Sequence, residues 1–309
     1  MRALVTGATG FVGSYLTRLL LSRGEAVAVL RRPESNVWRI KDVLTEVTQI
    51  EGDLLRVSGI RQQLSDFAPD TIFHLAWYGV SNRYRNDEAQ IRNNLDGSLD
   101  LLRLARETGC HVFVGLGTQA EYGPQQRVLD EDAPTNPTTL YGAVKLCTYL
   151  LAQQLAAEYG VRFAWLRLFS SYGPKDNPDW MVPYLIGALQ RGERPALTRG
   201  EQRWDYIYVE DVAEAIYLTA LAEAAKGVFN LGSGQSYILR DIVEQIRDLI
   251  NPALPLGFGE VPYRPDQVFH LQANISKLRR ATGWQPRTAL ADGLRQTVEW
   301  YLSKTGVSA

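Results

Sequence analysis

Cysteine and histidine are scarce in this chain. Its 309 residues include two cysteines, Cys110 and Cys147, and three histidines, His74, His111 and His270. Their spacing suggests no disulfide framework and leaves a zinc site little to work with, so no metal is expected. A surplus of charge is also missing: Lys plus Arg number 33 and Asp plus Glu 34, a net charge of −1. That balance offers no general field to nucleic acid or to an anionic membrane surface, and neither partner is expected. Any anionic ligand must be held by local groups. No apolar run reaches membrane-spanning length, and there is no internal repeat or low-complexity segment. Arg2-Ala3-Leu4-Val5 reads as a first strand running straight into a glycine-rich turn. This leaves no room for a signal peptide, and the expected location is the cytoplasm.

What is present is rhythm. Ala3–Thr6, Ala26–Leu30, Val47–Glu51, Thr71–Leu75, Val112–Leu116 and Phe163–Leu168 read as strands. Amphipathic stretches such as Val12–Ser22, Ala89–Glu107 and Leu140–Glu158 lie between them. The alternation predicts an α/β fold with a parallel sheet, and the glycine-rich loop after the first strand makes it doubly wound, of the Rossmann type. After about Leu168, prolines such as Pro174, Pro178, Pro183 and Pro195 punctuate shorter elements. A dinucleotide-binding domain over residues 1–168 and a smaller α/β domain, mainly for substrate, over 169–309 are expected. Tyr206–Val209, Val212–Ala222 and Val228–Leu231 again look like strand, helix and strand, so the first domain is expected to be rejoined by about 203–230.

Gly7-Ala8-Thr9-Gly10-Phe11-Val12-Gly13 is a G-x-x-G-x-x-G loop between strand and helix. Glycines allow a tight turn and close approach of backbone to phosphate, and the helix N-terminus offers free N–H groups to a pyrophosphate. Gly7, Thr9, Gly10, Phe11, Val12 and Gly13 are therefore candidate cofactor contacts. At the tip of the second strand an acid commonly binds the ribose diol, whereas an arginine accommodates a 2′-phosphate. Here Leu30 is followed by Arg31 and Arg32 with no acid. NADP(H) is the expected cofactor and NAD the alternative; two solvated surface arginines would look the same. Asp53, after the third strand, is placed to meet the adenine amino group or simply to cap its loop. Tyr141 and Lys145 are four apart at the start of a helical pattern and share a face. A nearby ammonium lowers a tyrosine pKa, fitting the phenol for proton exchange with a carbinol or carbonyl. Thr118, after the fifth strand, would hold the substrate oxygen.

These pieces resemble the extended short-chain dehydrogenase/reductases of the NAD-dependent epimerase/dehydratase type, which act on nucleotide sugars. The resemblance spans nearly the whole chain. It rests on the order and spacing of Thr6–Gly13, Gly52-Asp53-Leu54, His74-Leu75-Ala76, Asn94 through Ser98, Thr118 through Gly123, Tyr141–Lys145, Arg167 through Pro174, Val209 through Ala213, Asn230 through Gly234 and Gly283 through Pro286. It implies that Tyr141 is the acid/base and also contacts the cofactor, that Lys145 tunes it and binds the nicotinamide ribose, and that Thr118 orients the substrate oxygen. It puts Leu54, Leu75 and Ala76 along the cofactor. It also implies a nucleotide diphosphate between the two domains, met by Arg203 and Arg264, whose forks suit phosphate. Further, it implies a homodimer through a four-helix bundle built on Asp96–Glu107 and Tyr141–Glu158.

Departures narrow the activity. In 4,6-dehydratases of the family the threonine is followed by Asp-Glu; here Gln119-Ala120 follow Thr118, so a 4,6-dehydratase is not expected. Ser170 stands where an asparagine often binds the nucleotide sugar. Trp77 and Tyr78 follow His74-Leu75-Ala76 where small residues are usual; they either shape the sugar pocket, with Trp77 a candidate wall, or are core aromatics, and Gln119 is a candidate contact. The expected activity is NADPH-dependent reduction of the C4 keto group of a nucleotide-activated 4-keto-6-deoxyhexose. A nucleotide-sugar 4-epimerase with retained NAD is the alternative, and a non-catalytic dinucleotide-binding protein the third reading.

Overall fold

The computed structural model describes residues 1–263 and 267–305. Its largest sheet has seven strands: β1 (Arg2–Thr6), β2 (Ala26–Arg31), β3 (Thr48–Glu51), β4 (Thr71–His74), β5 (Val112–Thr118), β6 (Arg162–Leu168) and β7 (Gly227–Leu231). All pair in parallel, in the order β3-β2-β1-β4-β5-β6-β7. Leu4 of β1 faces Ala28 of β2 on one side and Ile72 of β4 on the other. The winding reverses between β1 and β4, where a doubly wound sheet opens a crevice at the carboxyl ends of its strands.

A parallel sheet must be covered on both faces. Successive strand residues point to opposite faces, and here both sets are apolar. Ala3, Val5, Val27 and Val29 join Leu16 and Leu20 of α1 (Phe11–Ser22) in one core. Leu4, Ala28 and Leu30 join Leu101 and Leu102 of α2 (Gly97–Glu107) and Ala152 and Ala156 of α3 (Leu140–Tyr159) in the other. Each fully buried leucine or valine is worth about 1.5–3 kcal/mol relative to exposure. The first core also takes Val212 and Ile216 of α4 (Val209–Leu221).

Two expectations are adjusted. The helix read over Ala89–Glu107 is not uniform: Ile91–Asp96 is a wider π-type turn, and regular α-helix begins at Gly97. The wide turn coincides with a buried Asn94, whose Oδ1 accepts the Tyr78 N–H (2.7 Å) and whose Nδ2 donates to Gln90 Oε1 (2.8 Å). The strand read over Tyr206–Val209 ends at Tyr208 and pairs with Ser170–Tyr172 outside the large sheet. Return to that sheet is made by β7 alone, while α4 returns as a helix against α1.

The remaining elements are short. Val128–Leu129, Arg203–Trp204, Tyr237–Ile238 and His270–Ala273 form a four-stranded sheet. Helices Met181–Gln190, Leu239–Ile250 and Leu290–Thr305 pack around Leu185, Ile186, Ile242, Ile246, Leu294 and Val298. Among the described residues, no helix is long and apolar enough to cross a membrane, and no group of three His, Cys, Asp or Glu could hold a metal ion.

Candidate functional site

The loop after β1 is shaped by glycine. Gly7 sits at φ +74°, and a Cβ there would come within 2.6 Å of the Ala76 amide nitrogen. A Cβ on Gly13 would lie 2.1 Å from the Gly7 carbonyl oxygen. Neither position admits a side chain, so the ends of β1 and β4 and the start of α1 meet backbone to backbone. Gly10 caps α1 with no side-chain bond, and no acidic residue occupies the first turn. The helix therefore presents amides and partial positive charge to the crevice. This open cradle, formed by the loop and first turn that hold Gly7, Thr9, Gly10, Phe11, Val12 and Gly13, has the shape and partial charge to take a dinucleotide pyrophosphate.

A buried polar relay braces the cradle. The Thr6 hydroxyl lies 2.9 Å from His74 Nδ1 and accepts the Ala76 N–H (3.2 Å). His74 Nε2 lies 2.8 Å from Ser98 Oγ, and the Ser98 hydroxyl donates to the Asn94 carbonyl (2.6 Å). Ser98 has thus spent its proton, so His74 Nε2–H donates to it and Nδ1 accepts from Thr6. Burial, with a smaller push from Lys145, lowers the His74 pKa to about 3 and keeps the ring neutral.

At the tip of β2, where the adenosine is expected, the two arginines differ. Arg31 is paired with Glu51 (2.5 Å) and bonded to Gln49 (3.0 Å), whereas Arg32 is exposed beside an exposed Glu34 (3.2 Å). Asp53 accepts the Leu55 N–H (3.0 Å) and caps the turn Leu54–Ile60. Of its two readings, this geometry displays the capping one. Leu54, Leu75 and Ala76 are half-buried along the same strand ends.

Thr118, Tyr141 and Lys145 come together at the carboxyl end of β5 and the first turns of α3, all three buried. The α3 start is held by Thr139, which accepts the Gly142 N–H, and by the Arg85 carbonyl, which accepts the Tyr141 N–H (2.8 Å). Lys145 donates to the Leu116 carbonyl (2.5 Å), its ammonium 3.6 Å from the Trp77 ring centroid and 5.5 Å from that of Trp165. Burial holds this lysine well below the ordinary ammonium range. Trp77 also meets the Tyr141 ring edge to face at 6.4 Å and donates its indole N–H to Gln90 Oε1 (3.0 Å). It stands beside Tyr141 and Lys145 and at the same time packs against the core on that face of the sheet. Tyr141 departs from expectation: its pKa is raised, because burial outweighs the lowering by the Thr118 hydroxyl and the Arg85 guanidinium. The lysine's charge is directed at a carbonyl and two indoles, so the phenol keeps its proton.

The expected substrate contacts are more dispersed. Gln119 is half-buried beside Thr118, and Ser170 is half-buried on the strand paired with Tyr206–Tyr208. Arg203 is exposed and donates to the Ser236 carbonyl (3.0 Å). Arg264 lies outside the described residues. Three side chains at the site have no assigned role in the sequence reading. Arg85 stands 5.3 Å from the Tyr141 ring centroid; it belongs to no motif, and nothing in the sequence marks it. Glu121 and Arg167 form a buried ion pair (2.7 Å) beneath Thr118. Both lie within motifs already noted, Thr118 through Gly123 and Arg167 through Pro174, and Arg167 near the end of an otherwise apolar strand is the available sign.

The model of the NAD dependent epimerase/dehydratase family matches residues 3–232. A dTDP-glucose 4,6-dehydratase of Streptomyces niveus is 30% identical over 97% of this chain and 93% of its own length. The solved UDP-N-acetylglucosamine 4-epimerase of Methanobrevibacter ruminantium, in complex with UDP-N-acetylmuramic acid, superposes with TM-score 0.89 at 27% identity, covering 98% of each chain. The UDP-glucose 4-epimerase of Thermus thermophilus, in complex with NAD, gives TM-score 0.87 at 28% identity over 98% of this chain and 99% of that one.

Proposed function

The chain belongs to the NAD dependent epimerase/dehydratase family, and from that premise we propose that it is an NADPH-dependent reductase of a nucleotide-activated 4-keto-6-deoxyhexose. The observation that carries this reading is Tyr141. Burial keeps its phenol protonated beside Thr118, and reduction of a ketone needs a proton donor at the new hydroxyl. When bound, the reduced nicotinamide supplies the hydride for C4. Tyr141 gives its proton to the C4 oxygen, Thr118 holds that oxygen, and Lys145 binds the nicotinamide ribose. Gly7, Thr9, Gly10, Phe11, Val12 and Gly13 take the pyrophosphate, Asp53 and Leu54 the adenine, and Leu75 and Ala76 line the path between. Trp77, Gln119 and Ser170 frame the sugar, and Arg203 and Arg264 meet its diphosphate. Residues 1–168, rejoined by about 203–230, hold the dinucleotide, and 169–309 mainly the nucleotide sugar.

Dehydration across C5 and C6 would need a free carboxylate after Thr118. The carboxylate of that turn, Glu121, is fully buried and bonded to Arg167, Trp165 and the Thr118 amide. It cannot reach a sugar. A 4-epimerase with retained NAD is the second reading, and one observation favours it: Arg31, half of the expected 2′-phosphate site, is already paired with Glu51. Tryptophan fluorescence titration separates the two. We expect NADPH to bind at least ~10-fold tighter than NADH, the worth of one charge-assisted contact, and Arg32→Ala to erase the difference. Preference for NADH, or NAD that survives purification, would turn the assignment to the epimerase.

A further inference from the structure

Lys145 is a buried cation with a backbone carbonyl and two indole faces as its immediate partners. The charged and titratable groups around it and around its neighbours Tyr141 and Glu121 come from five elements. They are Tyr141 and Tyr149 on its own helix, Arg85 from the loop before α2, His74 at the end of β4, Glu121 in the turn after β5, and Arg167 on β6. His74 is neutral and both tyrosines are held protonated by burial. Among the described residues around Lys145, Glu121 is therefore the one anion.

Glu121 is held tightly. Its Oε1 accepts the Thr118 N–H (2.9 Å) and the Trp165 indole N–H (3.0 Å), and its Oε2 accepts Arg167 Nε (2.7 Å). Arg167 is itself packed over the Tyr122 ring, 4.5 Å from its centroid. The Trp165 indole bonded to Glu121 is also a ring under the Lys145 ammonium. Glu121 thus touches the Thr118 backbone directly and Lys145 through an aromatic ring.

We propose that Glu121 is a positioning residue of the active site: shared between Arg167 and Lys145, its carboxylate keeps Lys145 an ammonium in a desolvated pocket while its bond to the Thr118 amide fixes the substrate-holding hydroxyl. The roles of Thr118 and Lys145 in this inference rest on the proposed function. Arg167 has an opposing part: by neutralising Glu121 it limits how far Lys145 is stabilised in its charged form. A pair that served packing alone, with its charges not felt at Lys145, would leave the Lys145 titration unmoved.

The two partners therefore have opposite signatures at a third residue. The chain has six lysines, few enough for each to be followed by NMR of protein carrying 13C-labelled lysine, with Lys145→Met identifying the signal. In Glu121→Gln, which keeps the shape, the Lys145 midpoint should fall by about one pH unit, as expected when a buried counter-charge is lost. In Arg167→Met, which frees the Glu121 charge, it should rise. The double variant removes the ion pair whole, serves as the fold control, and should lie between the two. A Lys145 midpoint that stays put in either folded single variant, or moves in the opposite sense, overturns the proposal, and a fall in melting temperature alone would mark the pair as structural. The readout needs no substrate. Failure to turn over a keto sugar would count against the proposed function and leave this inference standing.

Discussion

In the proposed reaction Tyr141 carries the weight of the chemistry, and its surroundings explain why a phenol rather than a phenolate stands beside Thr118. Its ring lies against Trp77 on one side and under the Arg85 guanidinium on another, with no carboxylate bonded to its hydroxyl among the described residues. Removing only that hydroxyl tests the assignment. Tyr141→Phe should lower kcat on a nucleotide-linked 4-keto-6-deoxyhexose by about 10²–10⁴, the usual worth of a general acid. NADPH affinity by fluorescence should stay within about twofold, since the proposed Lys145 contact to the ribose is retained and Tyr141 loses only one of its own. Turnover near the parent rate would remove Tyr141 from the mechanism. At this scale the sequence was informative where spacing encodes contact: residues four apart on a helix share a face, so the Tyr141–Lys145 pair was legible. It was silent where contact is made across the chain. Arg85 reaches Tyr141 through its backbone carbonyl and its guanidinium from a loop 56 residues away, and no local pattern encodes that. The direction of the Tyr141 pKa was misread for the same reason, because the depth of burial is a property of the assembled pocket.

Elements meet at the relay from Thr6 through His74 and Ser98 to Asn94, which ties β1, β4, α2 and the π-type turn into one frame beneath the cofactor cradle. Its cost appears as pH dependence. The folded His74 is held far below the ordinary 6.5, so the unfolded chain binds the extra proton. The contribution to stability is level above about pH 6.5 and is lost progressively as pH falls toward 3. At pH 5 the loss relative to pH 7 should be about 2 kcal/mol. In urea titrations, His74→Gln should start less stable at pH 7 but show a flatter decline to pH 5. Parallel declines would mean that some other group dominates that window. The strands that build this frame were readable because a sheet covered on both faces is written as short apolar runs, such as Ala3–Thr6 and Phe163–Leu168. The π-type turn was not, since the same residues satisfy a helical period and only the inward side chain of Asn94 distinguishes them. Nor was the pairing of Tyr206–Tyr208 with Ser170–Tyr172, because a run of three strand residues does not say which sheet it joins.

For the whole molecule, α3 is the element with two audiences. Its inner face buries Tyr141, Lys145, Ala152 and Ala156, while Leu150 and Leu151 are 53% and 46% exposed on its outer face, next to an exposed Cys147. On neighbouring α2 the outer positions are charged, with Asp100 and Arg103 paired to each other. An apolar ridge bordered by charge is what a helix shows when a second copy is to cover it, and we propose that α2 and α3 of two chains form a four-helix bundle. A two-fold interface counts every substitution twice. Leu151 is 46% exposed in the single chain, so Leu151→Arg loses about 0.7–1.4 kcal/mol of apolar burial per copy, and dimer association should weaken by about 10–10². As the side chain is exposed in the single chain, the fold should change by no more than about 0.5 kcal/mol. Sedimentation velocity at micromolar concentration should then show the parent as a dimer and the variant as a folded monomer. A parent that sediments as a monomer would leave Leu150 and Leu151 as ordinary surface residues. If the variant stays dimeric, the two-fold contact lies on another face, and the catalytic face of α3 is held in place by the sheet alone.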